Sequence, residues 1–432
     1  MKHILLYLFM SVALYSFTIE DNFKNKPKLT SEELESKKDG SYFTGLPLMN
    51  FDPNTGLGYG LGINWINDKT PDDPLFKYTP YRAKVYLVLF TSTKGYQFHT
   101  INFDFPYINN SLFRLTGNLS YEKNIQANYF GVDASSLNNL TTPNGEVFRN
   151  YDDYKDNLTK NGSELYNNFF LEKISAEFNL GYDLFSGVGR ATIGTNFSHF
   201  NIKSYENLKI GDIQNNENLL FDQKDQISGY QGGYNNGIKL GLIFDSRDFR
   251  PNPKSGSAQD ISLEFFTRFL GSEYEYQRYT FSTKNFYTPS SMDYMTIALR
   301  GVYSAQFGDI PFFAMNTIGY SEELQYGLGG TRTLRGFKQD RFVGPVKVLG
   351  NLEARFTLNT QEIYGETFDF MLVPLLDAGK VFNSVEDTDL INYKIDYGLG
   401  LRIIWDLASV IMIDYAISEE GKEFYINFNH SF

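Results

Sequence analysis

Residues 329–337 read Gly-Gly-Thr-Arg-Thr-Leu-Arg-Gly-Phe and lie in a non-periodic segment, about 306–347, between runs of alternating apolar and polar residues. This is the pattern of a loop hung between two β-strands, with an arginine wedged between glycines. A guanidinium is a planar fork that pairs with carboxylates, so a loop of this kind can bind acidic side chains. Gly329, Gly330 and Gly336 let its backbone turn tightly and press against a wall. On the strand that follows, Glu353 and Arg355 fall on the face opposite Leu352, Ala354 and Phe356. Glu353 is therefore a partner for Arg335 by proximity.

Catalysis is not expected. His99, His199 and His430 fall on faces shared with Ile101, Phe197 and Phe428, and His3 lies in the apolar N-terminus. None of them makes a base with a serine and an aspartate. No His-x-x-x-His pair, phosphate loop or Gly-x-Ser-x-Gly elbow occurs. The chain has no cysteine, which excludes disulfides, thiolate metal sites and a cysteine nucleophile. No metal or cofactor is expected, and the carboxylates of 123–165 and 203–235 read as solvated charge. A net charge of −12 argues against nucleic acid as a partner.

The elements that must position the loop are strands. Aromatics make up 17% of the 432 residues, with 31 Tyr and 39 Phe against 2 Trp, and there are 37 Gly. Mean hydropathy is −0.34, too polar for a helical membrane protein. Residues 1–16 carry a Lys and a His, an apolar core and then small or polar residues, the layout of a cleaved signal peptide. Residues 17–40 are charged and aperiodic, a short periplasmic lead.

From Ser41 to Phe432, sixteen segments alternate with period two, from 41–51 to 423–432, and most have the ~9 to 11 residues that a tilted membrane strand requires. In 393–405, Ile395, Tyr397, Leu399, Leu401, Ile403 and Trp405 oppose Asp396, Gly398, Gly400 and Arg402. One face suits lipid and the other a wet lumen. With a periplasmic N-terminus the connections 123–165, 203–235 and 306–347 are external, while 106–110, 185–186, 288–292 and 406–408 are short periplasmic turns. Only 67–79 is long for a periplasmic turn. The expected fold is all-β: a sixteen-stranded antiparallel transmembrane β-barrel over 41–432, in the outer membrane of a Gram-negative bacterium, with a long external loop folded into the lumen. An even strand count leaves both termini periplasmic.

The chain ends with Phe424, Ile426, Phe428 and Phe432 on one face of the last strand. This resembles the outer-membrane β-signal read by the assembly machinery, which is thus an expected partner during biogenesis. At the seam, Pro47 in the first strand lacks a backbone donor, which suits an edge or weakly paired strand. Gly56, Gly58, Gly60 and Gly62 leave the inward face of the second strand nearly bare. Two readings stand: the joint between strands 1 and 16 opens toward the bilayer, or Pro47 starts the strand late and the glycines leave room for the inserted loop.

Residues 329–337, with Asn351-Leu352-Glu353-Ala354-Arg355-Phe356, Asp377-Ala378-Gly379, the stretch 241–256 and Tyr397-Gly398-Leu399-Gly400-Leu401-Arg402, resemble the BamA/TamA superfamily of outer-membrane assembly and translocation barrels, also called bacterial surface antigen barrels. The resemblance covers about 41–432. It implies a loop whose Arg335-Gly336-Phe337 tip, preceded by Leu334 in place of the usual Val, enters the lumen. It also implies that the strand carrying Asp377 and Gly379 receives the arginine, so Asp377 joins Glu353 as a candidate partner.

Truncating one side of such a pair costs ~3 to 5 kcal/mol when it is fully buried, and about a third of that is expected in a hydrated lumen. The family's periplasmic POTRA domains, which receive client chains, have no counterpart in the roughly two dozen residues ahead of the barrel. The implied function is insertion or translocation of proteins or lipids. The implied partners are outer-membrane lipids including lipopolysaccharide, and a periplasmic protein that replaces the POTRA domains. The alternative is a passive channel or structural surface antigen in which the loop is a plug.

Overall fold

A computed structural model of the chain describes residues 28–29, 34, 37–205, 217–363, 366–405 and 409–432. The signal peptide expected at 1–16 and most of the lead at 17–40 lie outside the described residues, as does the turn 406–408. Sixteen antiparallel strands close into a barrel in sequence order. They are β1 (Gly40–Asp52), β2 (Gly56–Lys69), β3 (Ala83–Ser92), β4 (Gln97–Phe105), β5 (Phe113–Asn128), β6 (Asn168–Leu184), β7 (Gly189–Lys203) and β8 (Gly232–Asp245). The circuit continues with β9 (Gly256–Phe266), β10 (Tyr276–Tyr287), β11 (Met295–Gly308), β12 (Val346–Ile363), β13 (Glu366–Phe382), β14 (Lys394–Trp405), β15 (Ser409–Ser418) and β16 (Lys422–Phe428). Each strand expected from alternation is present.

The alternation sorts the side chains as a barrel in lipid requires. On β14, Ile395, Tyr397, Leu399 and Leu401 point outward and are exposed, whereas Asp396 and Arg402 are buried inside. On β12 and β13, Leu352 and Leu376 face out while Glu353, Arg355 and Asp377 face in. No described helix is long and apolar enough to cross a membrane. Away from the joint between β1 and β16, ladder pairing satisfies the backbone donors and acceptors that hydrocarbon would leave unpaired.

Three long loops gather at one end. The loop between β5 and β6 contains the helix α1 (Tyr151–Lys160), capped by Asn150, whose side chain accepts from the Asp152 and Asp153 amides. Its Tyr151 amide donates to the Glu420 carbonyl of the β15–β16 hairpin at 2.7 Å. Phe312 and Phe313 of the loop after β11 join Tyr129, Phe169, Phe200 and Tyr276 in a buried aromatic cluster, with the Phe200 and Phe313 rings stacked at 4.0 Å. At the other end, the loop between β2 and β3 tucks Leu75 against Tyr107. Lys37 of the lead donates to the Phe76 and Thr79 carbonyls of that loop. Its length is therefore occupied in packing and in holding the lead.

The seam is the weakest joint. β1 meets β16 at a single bridge, Phe51 to Ile426, whereas β15 and β16 are paired from Ile411–Phe428 to Ile417–Lys422. β1 begins at Gly40, so Pro47 lies mid-strand and does not mark a late start. The β2 glycines do not leave room for the loop. Their space is taken by β3: a Cβ on Gly58 would lie 2.1 Å from the Phe90 ring, and one on Gly62 2.5 Å from the Tyr86 hydroxyl. Aromatic rings laid over glycines are a device that fixes register.

Phe424 faces outward and packs on Phe51 across the seam, with ring centroids 6.0 Å apart. Phe432 does not join it. β16 ends at Phe428, Asn429 turns at φ 66°, and residues 430–432 are buried inside the barrel. The period-two reading of 423–432 therefore fails after Phe428. A left-handed residue breaks the alternation, and His430 and Phe432 exchange the expected outer face for the lumen.

A Cβ on Gly60 would lie 2.2 Å from the Leu89 backbone carbonyl, which cannot swing aside. Gly60→Ala is expected to destabilise the barrel by about 1 to 3 kcal/mol, read as a lower temperature for loss of the compact band in SDS gels. Gly45→Ala, whose new Cβ meets nothing nearer than 3.7 Å, should leave that temperature unchanged. Equal effects of the two would refute this account of β2.

Candidate functional site

The loop from β11 to β12 descends into the lumen. Leu328 bridges to Phe342, which pins its two limbs together. Gly329 and Gly330 turn the chain at φ 110° and 90°, where a Cβ on Gly329 would sit 2.1 Å from the Lys338 carbonyl. Thr333 fixes this turn by donating to the Gly327 carbonyl at 2.8 Å while accepting from the Gly329 amide at 3.0 Å. Gly336 has another reason: its φ is not positive, but a Cβ there would come within 2.6 Å of Asp396 on the wall. It permits close approach rather than a turn.

Leu334 and Phe337 are fully buried beside Leu328, Phe342, Val302 and Val381. Gly379 leaves the room that Leu334 fills, since a Cβ there would lie 3.3 Å from its methyls. The Phe337 carbonyl accepts from the Gly330 amide at 3.0 Å and the Tyr425 hydroxyl at 3.4 Å.

Between these apolar contacts Arg335 is 0% exposed. Its Nε and Nη2 fork onto Asp377 at 2.7 and 2.8 Å, and its Nη1 reaches Glu353 at 2.6 Å and Asp414 at 3.1 Å. Both candidate partners are thus engaged at once, together with a third on β15. The carboxylates are themselves held. Arg402 binds Asp414 at 2.5 Å and Glu353 at 3.4 Å, Arg355 binds Glu353 at 2.8 Å, and Asn351 donates to Asp377 at 2.7 Å. Asn351, Asp377 and Asp396 stand opposite one another on β12, β13 and β14. Arg355 makes no bond to the loop tip in this network; it orients Glu353.

Sequence reasoning did not find Asp414, although the signal is there: it is the one acid among apolar residues of β15 and has inward parity with Met412 and Ala416. Nor did it find a second latch above the first, which no spacing marks. Arg341 forks onto Glu420 at 2.8 and 2.7 Å. It is 1% exposed.

Among the described residues no group of three or more His, Cys, Asp or Glu is arranged to hold a metal. Near the loop tip Asp340, at φ 55°, is buried and accepts from the Gln339 side chain at 3.1 Å. Burial pushes its carboxyl up to about 7, and Glu122 adds to the rise. The Glu122 carboxylate also accepts from the Tyr326 hydroxyl of the same loop.

With every charged partner at 0% exposure, the fully buried figure applies and not the hydrated third. Arg335→Ala is expected to cost ~3 to 5 kcal/mol. The readout is a lower temperature for loss of the compact gel band together with protease cleavage in 329–337, and unchanged values for both would refute the latch. Asp340 gives a pH test. A carboxyl raised from 3.8 to about 7 in the folded state favours the seated loop most below pH 4 and loses that advantage as pH rises through about 7. Loop protease resistance should fall from pH 5 to pH 8, and Asp340→Asn should flatten the profile; an unaltered profile would count against it.

A family model described as the Omp85 superfamily domain matches residues 88–432, and one described as a domain of unknown function (DUF5982) matches 20–82. The described part of the second range is no separate body, since it holds β1, β2 and most of the loop to β3. A comparison with curated proteins finds no match. Among solved structures, BamA from Haemophilus ducreyi lacking POTRA domains 1–3 is similar with a TM-score of 0.55 at 14% identity, over 91% of this chain and 70% of that one. CdiB from Escherichia coli is similar with a TM-score of 0.54 at 9% identity, over 91% of this chain and 68% of that one. At such identities the likeness is one of fold. The match over 88–432 says more: the chain belongs to the Omp85 superfamily.

Proposed function

We propose that this barrel inserts or translocates proteins or lipids at the outer membrane of a Gram-negative cell, with the long-loop end outside and both termini in the periplasm. An Omp85 barrel of this build is an integral outer-membrane protein. The observation that carries the functional reading is the pairing of a latched loop with a seam held by one bridge, Phe51 to Ile426. A barrel that serves only as a pore needs an open lumen and a sealed wall, and this one has the reverse. β1 offers an edge to an incoming strand, since an unpaired edge is a template for further pairing. The turn 70–82 and the lead that binds it form a periplasmic face on which a partner protein can dock. Outer-membrane lipids, lipopolysaccharide among them, contact the outward apolar side chains, and the assembly machinery acts on the chain during biogenesis.

The second reading, a passive channel or structural surface antigen with a permanent plug, is favoured by the complete burial of Arg335. Depletion of the protein, followed by comparison of the outer-membrane proteome and lipids, is expected to show loss of a defined set of proteins or a shift in lipids. Planar-bilayer recordings should find the intact barrel silent and a variant lacking 329–337 conducting. Unchanged proteome and lipids, with steady conductance through the intact barrel, would overturn the proposal in favour of a channel. Unchanged composition with a silent barrel would leave the structural role.

A further inference from the structure

Residues 429–432 follow the last strand, yet they lie across the lumen beneath the loop tip instead of along β1. Arg332, three residues before the latch arginine, donates to the Phe428 carbonyl at 3.1 Å and the His430 carbonyl at 2.5 Å. Its own carbonyl accepts from Arg300 and from Gln325, so its position is set from β11 and from within the loop. The Phe432 ring packs with Phe286 and Ala298 and lies under two guanidinium groups, Arg300 at 4.9 Å and Arg355 at 5.6 Å. Arg355 also donates to the Phe432 oxygen at 3.2 Å. His430 reaches Asn252 in the β8–β9 turn at 3.2 Å. Residues 430–432 are buried, with Phe432 at 9% exposure, while Asn429 is exposed.

This is a built site. Guanidinium groups over an aromatic face attract it, more strongly when water is excluded, and Arg355 also supplies a donor to the backbone. The occupant has an alternative place. Continuing the register from Phe51–Ile426 puts Asn429 opposite Leu48 and His430 opposite Pro47. Residues 43–47 of β1 are exposed on both faces, and Leu48 is half-buried. Proline at 47 has no amide to give to that pairing, so straightening the segment along β1 forfeits a ladder bond where it would begin.

We propose that Arg300, Arg332 and Arg355 with Phe286 form a luminal binding site for an extended peptide segment that carries an aromatic side chain, that residues 429–432 of this chain are its resident ligand, and that occupancy of this site, set by Arg332 of the loop, withholds the segment from the seam. The loop tip and the chain segment then respond to one another. Arg335 holds Glu353, Glu353 holds Arg355, and Arg355 holds Phe432.

The chain has no cysteine, so introduced pairs report position cleanly. His430→Cys with Asn252→Cys marks the luminal position and is bridged by a short bifunctional thiol reagent. Asn429→Cys with Leu48→Cys marks the seam position and closes on oxidation. In the otherwise unaltered full-length barrel in membranes, the luminal pair is expected to cross-link at least fivefold more than the seam pair. Adding Arg332→Gln should reverse that order while the compact gel band persists. A seam yield equal to or above the luminal yield in the unaltered barrel would overturn the proposal without any change to Arg332. Unmoved yields after Arg332→Gln would overturn the control by the loop.

Discussion

Removing a guanidinium from water is so unfavourable that Arg335 can sit at 0% exposure only if everything around it is arranged for it. One carboxylate is insufficient, because a planar fork with five donors leaves bonds unmade. Three carboxylates satisfy it but repel one another, and Arg355 and Arg402 stand where they offset that repulsion. The result is a wall of alternating charge across β12, β13, β14 and β15, whose members must all point inward. A slip of one residue at any of those joints would turn Glu353, Asp377 or Asp414 toward lipid. The latch therefore constrains the register of a quarter of the barrel.

The use of charge follows from the solvent. The outward face must be apolar, as Leu352, Leu376 and Leu399 are, and this drives no packing inside. A loop entering a polar lumen is held by hydrogen bonds and ion pairs at its tip, supplemented by local apolar contact around Leu334 and Phe337. Nearer the long-loop end the balance reverses. There Phe312 and Phe313 are fixed by aromatic packing on Phe200 and Phe169, and the cations beside them, Lys173 over the Phe200 ring and Arg278 on the Ala314 carbonyl, lie at the edge of that packing.

Period-two alternation made the sixteen strands legible, because each must sort lipid-facing from lumen-facing residues without help from its neighbours. The latch was legible in part for the same reason: inward parity selected Glu353 and Asp377 as candidates. What alternation could not reach were features that depend on how strands meet or stop. The β2 glycines are explained by Tyr86 and Phe90 on the next strand, and no pattern within β2 reveals those rings. Asp414 carried the right parity, but its distance along the chain hid its nearness to Arg335. At the chain end, one residue in the left-handed region, Asn429, reversed the facing of Phe432 and His430, and asparagine is tolerant enough of that region to give no warning. Arg341 and Glu420 are joined only by the fold.

The single Phe51–Ile426 bridge has a consequence for the order in which the barrel is built. The surroundings of Phe432 are contributed by β10, β11 and β12, and the loop tip grips the neighbouring His430 and Phe428 carbonyls through Arg332. That pocket does not exist until those strands are paired and the loop has entered. Residues 430–432 can settle only after that part of the interior is formed, so their burial marks a late step at the joint where the sheet closes on itself.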